Sequence, residues 1–214
     1  MVRIAVLCSG GGTNLQALID AWQAGMFENG ELALVVASRP GVFALERAAK
    51  ADVTSVVVSR KDFANADEYD AALLEQLSAH NIDLVVTAGF LSILGAKVLT
   101  AYEDRIINVH PSLIPSFCGH GFYGLRVHEA ALEYGVKVTG ATVHIVNHVV
   151  DGGRILLQKA VEVLPDDTPE TLQHRVMEQA EWDILPKAVA MFCSQKLKEE
   201  IAGQARNDEF GGRR

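Results

Sequence analysis

RIAVLCSGGGTNLQALIDAW, residues Arg3 to Trp22, changes its periodicity in the middle. Arg3–Cys8 is a short apolar run that stops at glycines, the pattern of a parallel strand buried on both faces. Beyond the glycines, Leu15, Leu18, Ile19 and Trp22 recur at helical spacing on one face. Strand, glycine turn and helix in that order begin a βαβ unit, and the chain repeats the theme. ELALVVAS is a second strand, broken by Pro40 and Gly41. FALERAAKA is a helix and TSVVVS a third strand. DEYDAALLEQLSAH is a helix with Tyr69, Leu73 and Leu77 in one stripe, and IDLVVTA and RIINVH are the fourth and fifth strands. This alternation implies right-handed crossovers and a parallel sheet.

The alternation ends after the helix GLRVHEAALEYG. KVTGATVHIV and ILLQKAVEVL then form two strands about a turn apart, an antiparallel pair at one side of the sheet. The expected fold is α/β: an open, mostly parallel Rossmann-like sheet, helices on both faces, and the antiparallel pair towards the C-terminal part. TPETLQHRVMEQAEWDILPKAVAMF closes it as one helix, with Thr168 as N-cap, Pro169 as its first residue and Thr171 in the first turn. Pro186 is expected to kink or restart that helix. One domain is expected over residues 1–203, its halves meeting near residue 100, with a loose polar tail over 204–214.

A chain of 214 residues, 49% hydrophobic, suits a single large domain with a full core and excludes global disorder. A formal charge of −8 argues against a nucleic-acid protein that works by phosphate neutralisation. A small anionic ligand stays open, because backbone amides bind phosphate without side-chain charge. The three cysteines, Cys8, Cys118 and Cys193, have no paired spacing, which excludes a zinc ribbon or C-x-x-C redox motif and fits a reducing cytoplasm. The N-terminus has no signal-peptide pattern, and no apolar run approaches a membrane span. The expected protein is soluble and cytoplasmic.

Two stretches carry candidate chemistry. Ser9-Gly10-Gly11-Gly12-Thr13-Asn14 lies between the first strand and the first helix, where open α/β sheets bind ligands and where glycines admit an anion to a helix N-terminus. A Walker A loop needs a lysine that is absent here, and Leu15 stands where a dinucleotide fingerprint needs its third glycine. Arg39 keeps a 2′-phosphate of NADP as an alternative, and a tight turn without ligand is another.

The second stretch is NVHPSLIPSFCGHGFYG, Asn108 to Gly124. At a strand end, alternate residues share a face, so Asn108 and His110 lie together beside a Pro/Gly-rich loop able to act as a lid. An amide that donates to an oxyanion and an imidazole that carries protons suit attack on a carbonyl. Asp151, in the turn before Gly152-Gly153, is the carboxylate best placed to orient the imidazole. No Ser or Cys has the setting of a nucleophile, so a substrate-supplied nucleophile is expected. His120, His128, His144 and His148 match no metal-ligand spacing, and no metal is expected.

SGGGTNLQAL, TAGFLSIL, INVHPSLIPSF and VDGG, in this order, resemble the folate-dependent phosphoribosylglycinamide formyltransferases over nearly the whole chain. The resemblance implies 10-formyltetrahydrofolate as co-substrate and glycinamide ribonucleotide as acceptor, in de novo purine synthesis. It implies Asn108, His110 and Asp151 as the catalytic trio, with protonated His110 and Asn108 stabilising the oxyanion. It places the ribonucleotide phosphate on Gly11, Gly12, Thr13 and Asn14, with Glu181 and Pro111 also contacting substrate. It places the folate along Phe90, Leu91, Ser92, Ile93 and Leu94 and the loop with Asn147 and Val150. Partners are then small molecules, without nucleic acid or membrane, and the protein a monomer or homodimer. Ser92 and Ala66 stand where such proteins carry Arg, Arg126 where related middle regions have His, and Arg154 where Pro is common. These departures bear on folate affinity more than on the chemistry.

A formyl-folate hydrolase is the nearest rival, but those carry an extra N-terminal regulatory domain, whereas this chain opens on its first strand. The methionyl-tRNA formyltransferases are longer and bind RNA. From other classes, an NADP-binding oxidoreductase using Arg39 and a non-catalytic sensor of phosphoribosyl ligands compete.

Overall fold

The computed structural model describes residues 1–194; the expected loose tail, 204–214, lies outside them. The strands are β1 (Val2–Cys8), β2 (Gly30–Ala37), β3 (Ser55–Val57), β4 (Leu84–Thr87), β5 (Ile106–His110), β6 (Val138–Ile145) and β7 (Ile155–Glu162). They form one sheet in the order β3-β2-β1-β4-β5-β6-β7. The pairs from β3 to β5 are parallel, and β5–β6 and β6–β7 are antiparallel, as the sequence pattern implies. The order reverses beside β1, a topological switch of the kind that opens a crevice at the C-terminal strand ends.

The helices are α1 (Thr13–Gln23), α2 (Phe43–Lys50), α3 (Ala66–Ala79), α4 (Ala96–Ala101), α5 (Leu125–Tyr134), α6 (Pro169–Val176) and α7 (Trp182–Cys193). Side chains of β1 alternate between two cores, as the two-residue period of a strand requires. Ile4, Val6 and Cys8 join Leu15, Leu18, Leu172, Leu185 and Val189 on the face covered by α1, α6 and α7. Ala5 and Leu7 join Tyr69, Leu73, Leu77 and Val98 on the face covered by α3 and α4. The backbone N–H groups of Gly95, Lys97 and Val98 at the start of α4 donate to the buried Asp70 carboxylate, tying α4 to α3.

The single C-terminal helix expected from the pattern is instead α6 and α7 joined by a wide π turn, Met177–Glu181. The Thr168 cap holds, with a reciprocal bond between Thr168 and Thr171. The irregularity sits upstream of Pro186, which lies buried inside α7. The N–H of Trp182 reaches back five residues to the Met177 carbonyl. Pro186 has no N–H to return to the carbonyl four residues before it, that of Trp182, the first residue of α7 after the wide turn.

Candidate active site

Gly12 begins α1 at φ 70, and a Cβ there would sit 2.9 Å from that of Ala44, so α1 starts hard against α2. Glycine meets both demands, a left-handed backbone and a close approach. No side chain caps α1, and a Cβ on Gly10 or Gly11 would meet nothing within 4 Å. The loop thus leaves space beside Gly10 and Gly11 at an uncapped helix N-terminus, the setting that binds an anion. Arg47 of α2 flanks the loop, donating from Nε to the Gly11 carbonyl at 2.9 Å and from Nη1 to Gln16 at 2.7 Å. Arg39 donates to the Ser9 carbonyl at 3.0 Å, so its guanidinium is already engaged by the backbone of this loop.

Asn14 and Glu181, two residues the resemblance names apart, are one contact: Asn14 Nδ2 donates to Glu181 Oε2 at 2.7 Å. The π turn delivers Glu181 to the start of α1, beside Thr13, whose hydroxyl faces the Met177 sulfur at 3.8 Å. Burial pushes the Glu181 carboxyl up to about 7, against the lowering effect of the Asn14 N–H.

At the far side of the crevice, β5 ends with Asn108 and His110. His110 is 4% exposed. Its Nε2 lies 2.9 Å from the Phe117 carbonyl, an acceptor only, so Nε2 carries a proton there. Its Nδ1 faces Asp151 Oδ2 at 3.6 Å. Asp151 stands at φ 53, a left-handed backbone unusual for a side-chain-bearing residue, and receives the Gly119 N–H at 2.8 Å. His144 Nε2 faces the other Asp151 oxygen at 3.6 Å. Burial works to raise the Asp151 pKa, but His144, the Gly119 N–H and His110 together hold it below the usual carboxylate value. Burial lowers the pKa of His110, outweighing the Phe117 carbonyl and Asp151. The resting ring is thus neutral near pH 7, and its positive charge arrives only when it takes a proton.

The formyl transferase family profile matches residues 2–189. The chain belongs to the formyl transferase family. It is 38% identical over 198 residues to the phosphoribosylglycinamide formyltransferase of Haemophilus influenzae, covering 92% of this chain and 90% of that protein. It is 43% identical over 205 residues to the trifunctional purine biosynthetic protein adenosine-3 of Drosophila melanogaster, covering 94% of this chain but only 15% of that much longer one. The crystal structure of glycinamide ribonucleotide transformylase 1 from Symbiobacterium toebii superposes with a TM-score of 0.85 at 43% identity, over 90% of this chain and 88% of that one.

In this member of the family the strip after β4 is split. Leu91 and Ile93 are 65% and 73% exposed, Phe90 and Ser92 are half-buried, and Leu94 turns into the core with Val98 and Tyr102. Asn147 and Val150 are exposed on the loop that carries Asp151, and Asn147 Oδ1 accepts the Val149 N–H at 2.9 Å. Pro111 is half-buried directly after His110. Among the departures, Ala66 opens α3 and Arg126 lies over the Tyr123 ring at 4.9 Å. Among the described residues, no group of three or more His, Cys, Asp or Glu could hold a metal, and no helix is long and apolar enough to cross a membrane.

Sequence reasoning missed four partners of the site: Thr87, His144, the Phe117 carbonyl and Arg47. His144 had a signal, being one strand across from Asn108, but the β5–β6 register that pairs them is not readable from spacing. Gly153 also proves structural, because a Cβ there would overlap the Ile145 carbonyl oxygen of β6. Gly153→Ala is expected to lower the thermal midpoint by roughly 10 °C, since 1 kcal/mol moves a chain of this size by about 2–4 °C. A differential scan checks it, and an unchanged midpoint would contradict the overlap.

Glu181 gives a second stability prediction. The unfolded carboxyl loses its proton near 4.5 and the folded one near 7. Between them the folded state binds more protons, so stability falls as pH rises through that window. Glu181→Gln keeps an acceptor for Asn14 and cannot ionise. At pH 8 it is expected to be more stable than the parent by roughly 3 kcal/mol, and near pH 4 to match it. Urea unfolding at both pH values decides; equal stability at pH 8 would mean Glu181 is not held neutral.

Proposed function

We propose that this formyl transferase moves the formyl group of 10-formyltetrahydrofolate to the amine of 5-phosphoribosylglycinamide, giving formylglycinamide ribonucleotide and tetrahydrofolate for purine synthesis. The observation that carries the reading is the pair Asn108 and His110 at the end of β5, with Asp151 facing His110, on the same sheet edge as the uncapped N-terminus of α1. The names of the Haemophilus and Symbiobacterium relatives support it. The partners are these two small molecules and the compartment the cytoplasm.

The ribonucleotide phosphate would sit on Gly11, Gly12, Thr13 and Asn14, with Glu181 and Pro111 lining its path to the trio. The pteridine end of the folate would lie along Phe90–Leu94 and the loop holding Asn147 and Val150. The amine attacks the formyl carbon, a C–N bond forms, and the carbonyl electron pair moves to oxygen. An Asn108 N–H stabilises that oxyanion. The proton lost by the amine passes through an intervening water to His110, and Asp151 holds the imidazolium so formed. Collapse of the intermediate breaks the bond to folate N10, which takes the proton back as tetrahydrofolate leaves. The Phe117 carbonyl now occupies the His110 Nε2–H. The loop Ser116–Gly124 must withdraw it, and the ring proton must move to Nδ1 facing Asp151, before Nε2 can accept the amine proton.

The test is a folate turnover assay with purified protein, 10-formyltetrahydrofolate, and glycinamide ribonucleotide present or absent. Tetrahydrofolate formed only with the ribonucleotide is the expected result. Equal formation without it would make the protein a hydrolase, and no turnover in either case would overturn the reading.

A further inference from the structure

The register of the sheet puts Thr87 of β4 opposite Asn108 of β5, and Asn108 opposite His144 of β6. Three polar side chains thus lie in one row across three strands. Thr87 Oγ1 is 2.7 Å from Asn108 Oδ1, and Asn108 Nδ2 is 3.2 Å from His144 Nε2. His144 Nδ1 lies 2.9 Å from the Ile145 carbonyl. Thr87 and His144 are both buried, 6% and 2% exposed.

The direction of each bond follows from the far end of the row. A carbonyl only accepts, so His144 carries its proton on Nδ1. Its Nε2 is met at 3.2 Å by Asn108 Nδ2, which can only donate, so Nε2 accepts there. That turns the amide nitrogen of Asn108 towards β6. Its oxygen must face β4, where it receives the Thr87 hydroxyl; the other acceptor within reach of that hydroxyl, the Ile107 carbonyl, is more distant at 3.3 Å. Asp151 Oδ1, at 3.6 Å from His144 Nε2, lies beyond hydrogen-bond length from it. An amide nitrogen carries two hydrogens. One is engaged by His144, and the second is left for the crevice.

We propose that Thr87 is a positioning residue for the transfer step: its hydroxyl, with His144 at the opposite end of the row, locks the Asn108 amide so that the unengaged N–H, not the carbonyl oxygen, meets the developing oxyanion. A flipped amide would set oxygen against negative charge. This rests on the reading of Asn108 as an oxyanion donor.

Thr87→Val keeps the shape and deletes the donor; Thr87→Ser keeps the donor. Thr87→Val is expected to lower kcat about tenfold, less than the 10²–10³ typical of losing a donor outright, because His144 still orients one end. The KM of each substrate should stay near the parent value, and Thr87→Ser should restore most of kcat. In an Asn108→Ala background, Thr87→Val should add nothing, since the group it positions is gone. Parent-like kcat in Thr87→Val, equal loss in Thr87→Ser, or an undiminished loss without Asn108 would each overturn the proposal. A second readout stands apart from turnover. Nitrogen-15 spectra of the intact protein should show His144 as the Nδ1–H tautomer, and slowly exchanging Asn108 amide protons that exchange faster in Thr87→Val. An Nε2–H tautomer, or Asn108 protons indifferent to Thr87, would overturn the lock even if the parent protein transferred no formyl group.

Discussion

His110→Ala is expected to reduce formyl transfer about 10³-fold, within the 10²–10⁴ range of a positioned proton carrier. The ring is buried at a strand end and held from two sides, by the Phe117 carbonyl and Asp151. Alanine removes the proton acceptor and leaves Asp151 with the Gly119 N–H as its donor. Because burial holds the His110 pKa below 6.5, the free enzyme keeps the neutral, proton-accepting ring as pH falls from neutrality to below that value. Its kcat/KM should therefore hold steady through pH 6.5 and decline only further into acid. Steady-state rates from pH 5 to 8 check both statements. Unchanged turnover in His110→Ala would remove the imidazole from the mechanism. A parent profile already falling above pH 6.5 would show that the burial argument fails.

Asp151→Asn is the second large effect, and it should separate activity from stability. The ring nitrogens facing Asp151 both carry lone pairs when neutral, because His110 bonds Phe117 through Nε2 and His144 bonds Ile145 through Nδ1. An asparagine can keep its oxygen on the Gly119 N–H and brings no charge to face those lone pairs. The variant should fold with a midpoint close to the parent's. It cannot stabilise an imidazolium, so turnover should fall by about 10³, comparable to His110→Ala. A double variant should be scarcely worse than either single one, as expected for residues that act as a unit. Independent, multiplying losses would mean that Asp151 serves the substrate directly and not through His110. Loss of folding in Asp151→Asn would contradict the lone-pair account.

The fold was legible because its signals are local and strong. Apolar runs ending in glycine or proline gave the strands, and stripes such as Tyr69, Leu73 and Leu77 gave the helices. Asn108 and His110 were legible because two-residue spacing on a strand fixes a shared face whatever the tertiary structure. Asp151 was reachable through its Gly-Gly neighbours. Thr87 and His144 were not, because their relation to Asn108 is set by lateral strand register, which depends on how crossovers pack. The long C-terminal helix was misjudged for a related reason: proline is a visible breaker, whereas a π turn has no residue signature and arises from packing both α6 and α7 on one sheet face.

That wide turn amounts to a phase shift. Each residue of a regular α-helix advances its side chain by about 100°, so one extra residue swings everything beyond it by that angle. Glu181 faces Asn14 because of a count, not because of any neighbour's identity. A scan that exchanges side chains one by one across Met177–Glu181 would find little to report at most positions. Excising a single residue there would leave the composition of the pocket untouched and point its carboxylate elsewhere.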